Sequence, residues 1–164
     1  MSAPASGSQF TETDLAYVLS ALLASRDARQ AHRLAAEEAY EPLLRDAARR
    51  GQIALDDDIV RTVALLAQWN RPEGTAPCAE AGTERSAPPT GAVVPGPAHD
   101  LRLVAALSAY VEAAVLRDRA EMIHGFEPAA RGLAEDHIRD AARHLSALRG
   151  ALEPERRLRG SARA

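Results

Sequence analysis

Between Arg71 and Ala98 the chain changes character. Six prolines (72, 77, 88, 89, 95, 97) and four glycines (74, 82, 91, 96) fall within these 28 residues. Each proline inside a helix removes a hydrogen bond and costs about 3 kcal/mol, so no helix crosses the stretch. Its apolar side chains are too few to pack. The segment 71–98 therefore reads as a long linker, and the sequence on either side must supply the fold as two helical pairs.

Outside the linker, Ala, Leu and Arg dominate, and aromatic residues make up 4% of the chain. This is helix-forming composition. The expected fold is all-α, a four-helix up-down bundle of two helical pairs, with residues 11–150 as one domain. Residues 1–10, rich in Ser, Ala and Gly, are expected to be disordered. Residues 151–164, with Arg156, Arg157, Arg159 and Arg163, are expected to form a basic flexible tail. Arg supplies every basic side chain and Lys does not occur, which suits a GC-rich bacterial genome.

The first helix has a well-marked start. Thr11 can cap it, with Asp14 at N3 and with Phe10 and Leu15 at the staple positions. Tyr17, Ala21, Ala24, Ala28, Ala31, Ala35 and Ala39 recur at helical spacing and form a narrow seam for a close neighbour. Asp27 and Glu38 lie beside that seam and are expected to be half-buried acids. A break is expected near Tyr40–Pro42, then helix to Arg50, a stop at Gly51, and a new helix from Asp56 to about Asn70. Asp100 can cap the third helix, with Val104, Leu107, Val111, Ala114, Val115, Asp118 and Met122 inward. Gly125, Phe126 and Pro128 end it. The fourth helix runs from about Glu127 to Arg149 with Ala130, Ala134, His137, Ile138, Ala141, Leu145 and Leu148 inward. The halves echo each other, since each has an Arg-Asp pair ahead of an aromatic-Glu-Pro break. The spacing differs, with Asp27 to Pro42 longer than Asp118 to Pro128, and a true duplication stays open.

The net charge of −3 is spread without a basic field, which argues against nucleic-acid binding. Cys78 is the only cysteine, so an intrachain disulfide and a Cys-based metal motif are both ruled out. With no basic-then-apolar leader and no apolar run of membrane-spanning length, the expectation is a cytoplasmic protein with no membrane contact.

The chemistry-bearing residues crowd into 99–150. Glu121-Met122-Ile123-His124 is a Glu-x-x-His, which on a helix turns carboxylate and imidazole the same way. It resembles the motif of ferritin-like di-iron bundles, in which such pairs on two helices and a Glu from each of the others hold the metals. The second Glu-x-x-His is absent here, and His137 and His144 stand on the fourth helix instead. That leaves a mononuclear or hemerythrin-like arrangement. The resemblance implies iron, manganese or zinc held by Asp118, Glu121, His124, His137 and His144, with Asp27 or Glu38 from the first helix. On a helical wheel Asp118 points inward, Glu121 sits at the edge and His124 outward, which also suits a surface Glu121/His124 pair. Arg139 and His144 have the Arg-x4-His spacing that is similar to HEPN-type helical ribonucleases.

No phosphate loop or nucleophile motif is present. The leading expectation is a non-catalytic helical assembly or accessory protein, homodimeric or bound to a protein partner, because the Ala-lined first helix and modest apolar content suggest an incomplete core in a monomer. The alternatives are a metal-binding bundle with oxidase or storage chemistry and, third, the ribonuclease.

Overall fold

The computed structural model describes residues 10–69 and 94–152. The N-terminal segment, Cys78, nearly all of the linker and the basic tail lie outside the described residues. Four helices make up the fold: α1 (Glu12–Glu38), α2 (Pro42–Gln68), α3 (Pro97–His124) and α4 (Pro128–Gly150). They form the expected helical bundle. α1 packs on α2 and α3, and α4 on α3 and α2, so the helices stand at the corners of a square with antiparallel neighbours. α2 ends at the base of the bundle beside Tyr17 and Leu22, whereas α3 begins at the top beside Tyr40.

α1 starts as its sequence signals. Thr11 accepts from Asp14 N while the Asp14 carboxylate accepts from Thr11 N, completing a capping box. Phe10 stacks on Trp69 with ring centroids 4.7 Å apart, tying the first residue of α1's approach to the end of α2. The Ala seam is where α1 meets its neighbours: Ala21, Ala28, Ala35 and Ala39 are all buried.

One expected break and one expected cap do not occur. Gly51 does not stop a helix, because α2 runs unbroken through it and through Asp56–Asp58. An interior glycine costs about 1 kcal/mol relative to alanine, and what it offsets is a close approach described below. Asp100 does not cap its own helix, since α3 begins at Pro97 after Gly96. It is fully buried, and its two carboxylate oxygens accept from Tyr40 N and Glu41 N, each at 2.8 Å. It thus satisfies the free amides at the start of α2. At the other end of the bundle the fully buried Asp14 does the same for the start of α4, accepting from Phe126 N at 2.9 Å and Glu127 N at 3.2 Å.

These clasps reveal an internal repeat with an offset of 86 residues, the step from Asp14 to Asp100 and from Tyr40 to Phe126. Buried positions follow the same step. Asp14, Val18, Ala21, Ser25, His32 and Ala35 of α1 match Asp100, Val104, Leu107, Val111, Asp118 and Glu121 of α3. Leu44, Ala47, Ala48, Gly51 and Thr62 of α2 match Ala130, Leu133, Ala134, His137 and Leu148 of α4. The core is accordingly split. One apolar cluster gathers Tyr17, Val18, Leu22, Leu66, Trp69 and Leu133 at the base. The other gathers Ala35, Leu44, Ala48, Leu107, Leu148 and Leu152 at the top. Between them lies a polar middle layer.

Candidate functional site

The middle layer opens as a cleft of about 390 Å³ lined by all four helices. Alanines and serines of α1 and the alanines of α3 leave it open, and histidines and acids alternate with them around its wall. Two sets of residues related by the 86-residue repeat stand at it: His32, Gly51 and His144 on one side, His137 and Asp58 on the other, with the fully buried Asp118 behind His137.

In the first set, His32 Nε2 and His144 Nε2 lie 2.6 Å apart, and the rings tilt by 41° with centroids 4.7 Å apart. His32 Nδ1 donates to the Ala28 carbonyl at 2.7 Å. That bond leaves the His32 Nε2 lone pair free, and His144 Nε2–H donates into it. Both rings are held neutral. Burial lowers the His32 pKa, and burial, His32 and Arg50 lower that of His144 to about 4. Gly51 explains itself here. A Cβ on it would come within 2.9 Å of His144 Nε2 and closer still to His144 Cε1 and His32 Cδ2. Only a bare backbone lets α2 pass behind the two rings.

In the second set, Asp118 is fully buried, and its Oδ1 accepts from Tyr17 OH at 3.1 Å and from Arg117 Nε and an Arg117 terminal nitrogen at 3.1 and 2.9 Å. Burial and the Asp118 charge push the Tyr17 pKa up, so the phenol remains a donor. Asp118 Oδ2 faces His137 Nδ1 at 3.6 Å, and His137 Nε2 faces Asp58 Oδ1 at 3.7 Å. Both separations exceed hydrogen-bond length. Asp118 Oδ2 and His137 Nε2 are buried without a hydrogen-bond partner. Burial raises the Asp58 pKa against the opposing pull of His137 and Arg61.

The residues singled out from sequence are thus distributed rather than gathered. His144 belongs to the histidine pair, and Asp118 and His137 to the second set. Among the described residues no three His, Cys, Asp or Glu side chains surround a common point. His124 is exposed, as the wheel places it. Glu121 is not part of a surface pair with it: it is 3% exposed and lies against Gly125, where the chain leaves α3 and any Cβ would strike its carboxylate. Asp27 and Glu38 are exposed rather than half-buried; Asp27 stands at the cleft rim, and Glu38 faces His99 Nε2 at 3.4 Å. Arg139 is exposed and bonded to Asp136 at 2.7 Å, while His144 is engaged by His32. His32 and Asp58 carry no expectation from sequence, and Gly51 only that of a helix stop, although the repeat offset places each opposite a chemistry-bearing residue of the second half.

Glu121 carries a pH dependence. Burial, then the neighbouring Asp14 carboxylate, raise its pKa to about 7, opposed by Arg131. For Asp14, burial acts upward but is outweighed by hydrogen bonds from Thr11, Phe126 and Glu127, so it stays ionised. A carboxyl group whose pKa is raised on folding contributes stability that is full below its unfolded value and lost as pH rises through the folded value. The wild-type melting temperature should therefore fall between pH 5 and 8, and Glu121→Gln should flatten that slope. Thermal melts across that range read it, and an unchanged slope in the variant would assign the dependence elsewhere.

No protein-family profile and no curated protein matches the sequence. Two solved structures share the fold: CopM in the Cu(II)-bound form, with a TM-score of 0.64, and CopM in the Ag-bound form (by soaking), with 0.65. Each is 17% identical and aligns with 86% of this chain, covering 97% and 95% of the respective CopM chains. Among the described residues no helix is long and apolar enough to cross a membrane.

Proposed function

We propose that this chain is a non-catalytic metal-binding helical bundle that takes one copper-like transition-metal ion between His32 and His144. The observation that carries this is the neutral imidazole pair, with Nε2 atoms 2.6 Å apart at the cleft and the His32 tautomer set by the Ala28 carbonyl. A metal-ligating histidine commonly donates its other ring N–H to a carbonyl or carboxylate, which is the arrangement of His32. Imidazole donors suit copper and zinc, and two neutral rings with no carboxylate between them suit the softer ions of that group. Two bonds of about 2.0–2.1 Å to one tetrahedral ion put nitrogens roughly 3.3 Å apart, so binding needs the rings to part by less than about 1 Å. The partly exposed His144 can make that movement, and its proton passes from Nε2 to Nδ1, so that both Nε2 lone pairs face the ion and the ring stays neutral.

The CopM structures that share the fold hold Cu(II) and Ag, which favours the same class of ion here. Two side-chain ligands leave coordination positions open to water or to a donor from another molecule. That suits a carrier or buffer from which the ion is passed on, and it keeps room for the protein partner expected from sequence.

Titration with Ag(I), followed by calorimetry and by mass spectrometry under non-denaturing conditions, tests this. The wild type should bind one equivalent through the pair, and His32→Ala/His144→Ala should lose it with at least a hundredfold fall in affinity. Equal silver binding in both proteins, with helicity retained, would sink the proposal.

A further inference from the structure

The second polar set has the form of a metal site of a different kind. His137 is 7% exposed, and its Nε2 is buried, unpartnered and turned toward Asp58 at the cleft. An imidazole nitrogen and a carboxylate oxygen 3.7 Å apart are too far for a hydrogen bond. They are close to the roughly 3.3 Å that two donors span across one tetrahedral ion with bonds of about 2.1 Å. Behind the ring, Asp118 Oδ2 faces Nδ1 at 3.6 Å. Asp118 is itself fixed through Oδ1 by Tyr17 and Arg117. A carboxylate behind a histidine whose other nitrogen faces a donor gap is the outer-shell arrangement of many zinc sites.

We infer that His137 Nε2 and Asp58 Oδ1 form a second cation site, of the imidazole–carboxylate class that takes zinc or cobalt, with Asp118 as the positioning residue. It is separate from the histidine pair and does not depend on it. Arg61 now shares Asp58, but it also reaches Asp136 at 3.3 Å and Asp140 at 3.9 Å. Arg61 can therefore release Asp58 and keep a counter-charge. On binding, the Nδ1–H of His137 turns to Asp118 Oδ2 and the Nε2 lone pair to the metal, so the two orphaned atoms gain partners together. The cleft admits the waters that complete the coordination.

The full chain should be titrated with Zn(II) and with Co(II), reading stoichiometry by calorimetry and coordination by the visible cobalt bands. The wild type should bind two equivalents. His32→Ala/His144→Ala should keep one, and His137→Gln should lose one while keeping Ag(I) binding at the histidine pair. Asp58→Asn should lose the same equivalent, which covers the case in which His137→Gln does not fold. Asp118→Asn should keep the equivalent at ten- to a hundredfold lower affinity, whereas a merely structural Asp118 would lower the melting temperature alone. If His32→Ala/His144→Ala bound no zinc, or if His137→Gln and Asp58→Asn matched the wild type, the second site would be refuted. Because silver reads the histidine pair and the zinc equivalent kept in His32→Ala/His144→Ala reads the second pair, failure here leaves the silver result standing, and the reverse holds too.

Discussion

Asp14→Ala should cost about 4 kcal/mol and lower the melting temperature by roughly 10 °C or more. The carboxylate is fully buried and holds four donors: Thr11 N, Thr11 Oγ1, Phe126 N and Glu127 N. Loss of an N-terminal cap alone costs about 1 kcal/mol. The remainder is the penalty for leaving the amides at the start of α4 buried without an acceptor, about 1–3 kcal/mol each. Asp100→Ala should cost somewhat less, about 3 kcal/mol, because it serves two donors and not its own helix. The two sites are at opposite ends of the bundle, so the double variant should show the sum of the single losses. Chemical denaturation of the four proteins measures this. A strongly sub-additive double variant would mean that the clasps belong to one cooperative unit rather than two.

The second large effect is on binding, with little on stability. Gly51→Ala places a methyl group where the His32 and His144 rings meet. The atoms in its way are the ends of two side chains, which can rotate, and alanine favours the helix by about 1 kcal/mol. Stability should therefore change by about 1 kcal/mol or less in either direction. The rings, however, can no longer face each other. Silver affinity should fall at least a hundredfold, as far as with removal of one histidine. Retained affinity would show that the pair does not bind in the cleft geometry.

Much of the bundle was legible because one-dimensional signals coincide with what packing requires. The capping box at Thr11, the Ala seam of α1, the breaks before Pro42 and Pro128 and the inward Asp118 all rest on local chemistry. The misread points rest on contacts between distant segments. Gly51 has the form of a helix stop, and only the two rings behind it, one from α1 and one from α4, account for a glycine inside α2. Asp100 has the form of a cap for its own helix, yet its carboxylate reaches across to Tyr40 and Glu41. The repeat was misaligned for a related reason. The Arg-Asp pairs draw the eye, but Asp27 and Asp118 are not equivalent. The informative match is acid to aromatic-Glu-Pro, in which Tyr40 follows Asp14 by the same 26 residues that separate Phe126 from Asp100. That alignment sets His32 opposite Asp118 and Asp58 opposite His144, so it would have brought both overlooked residues to notice.

Each hairpin carries both an acid that clasps and a turn that is clasped, so the bundle has the bonding pattern of a two-subunit assembly written into one chain. Two identical subunits around such an axis would be obliged to present the same side chains twice. Here the copies are covalently joined and free to differ: where one half contributes histidine from its first helix the other contributes aspartate, and where one has glycine the other has histidine. A single bundle can in this way carry two unlike sets of polar side chains in its middle layer, an asymmetry that a symmetric homodimer of either half could not reach by any substitution.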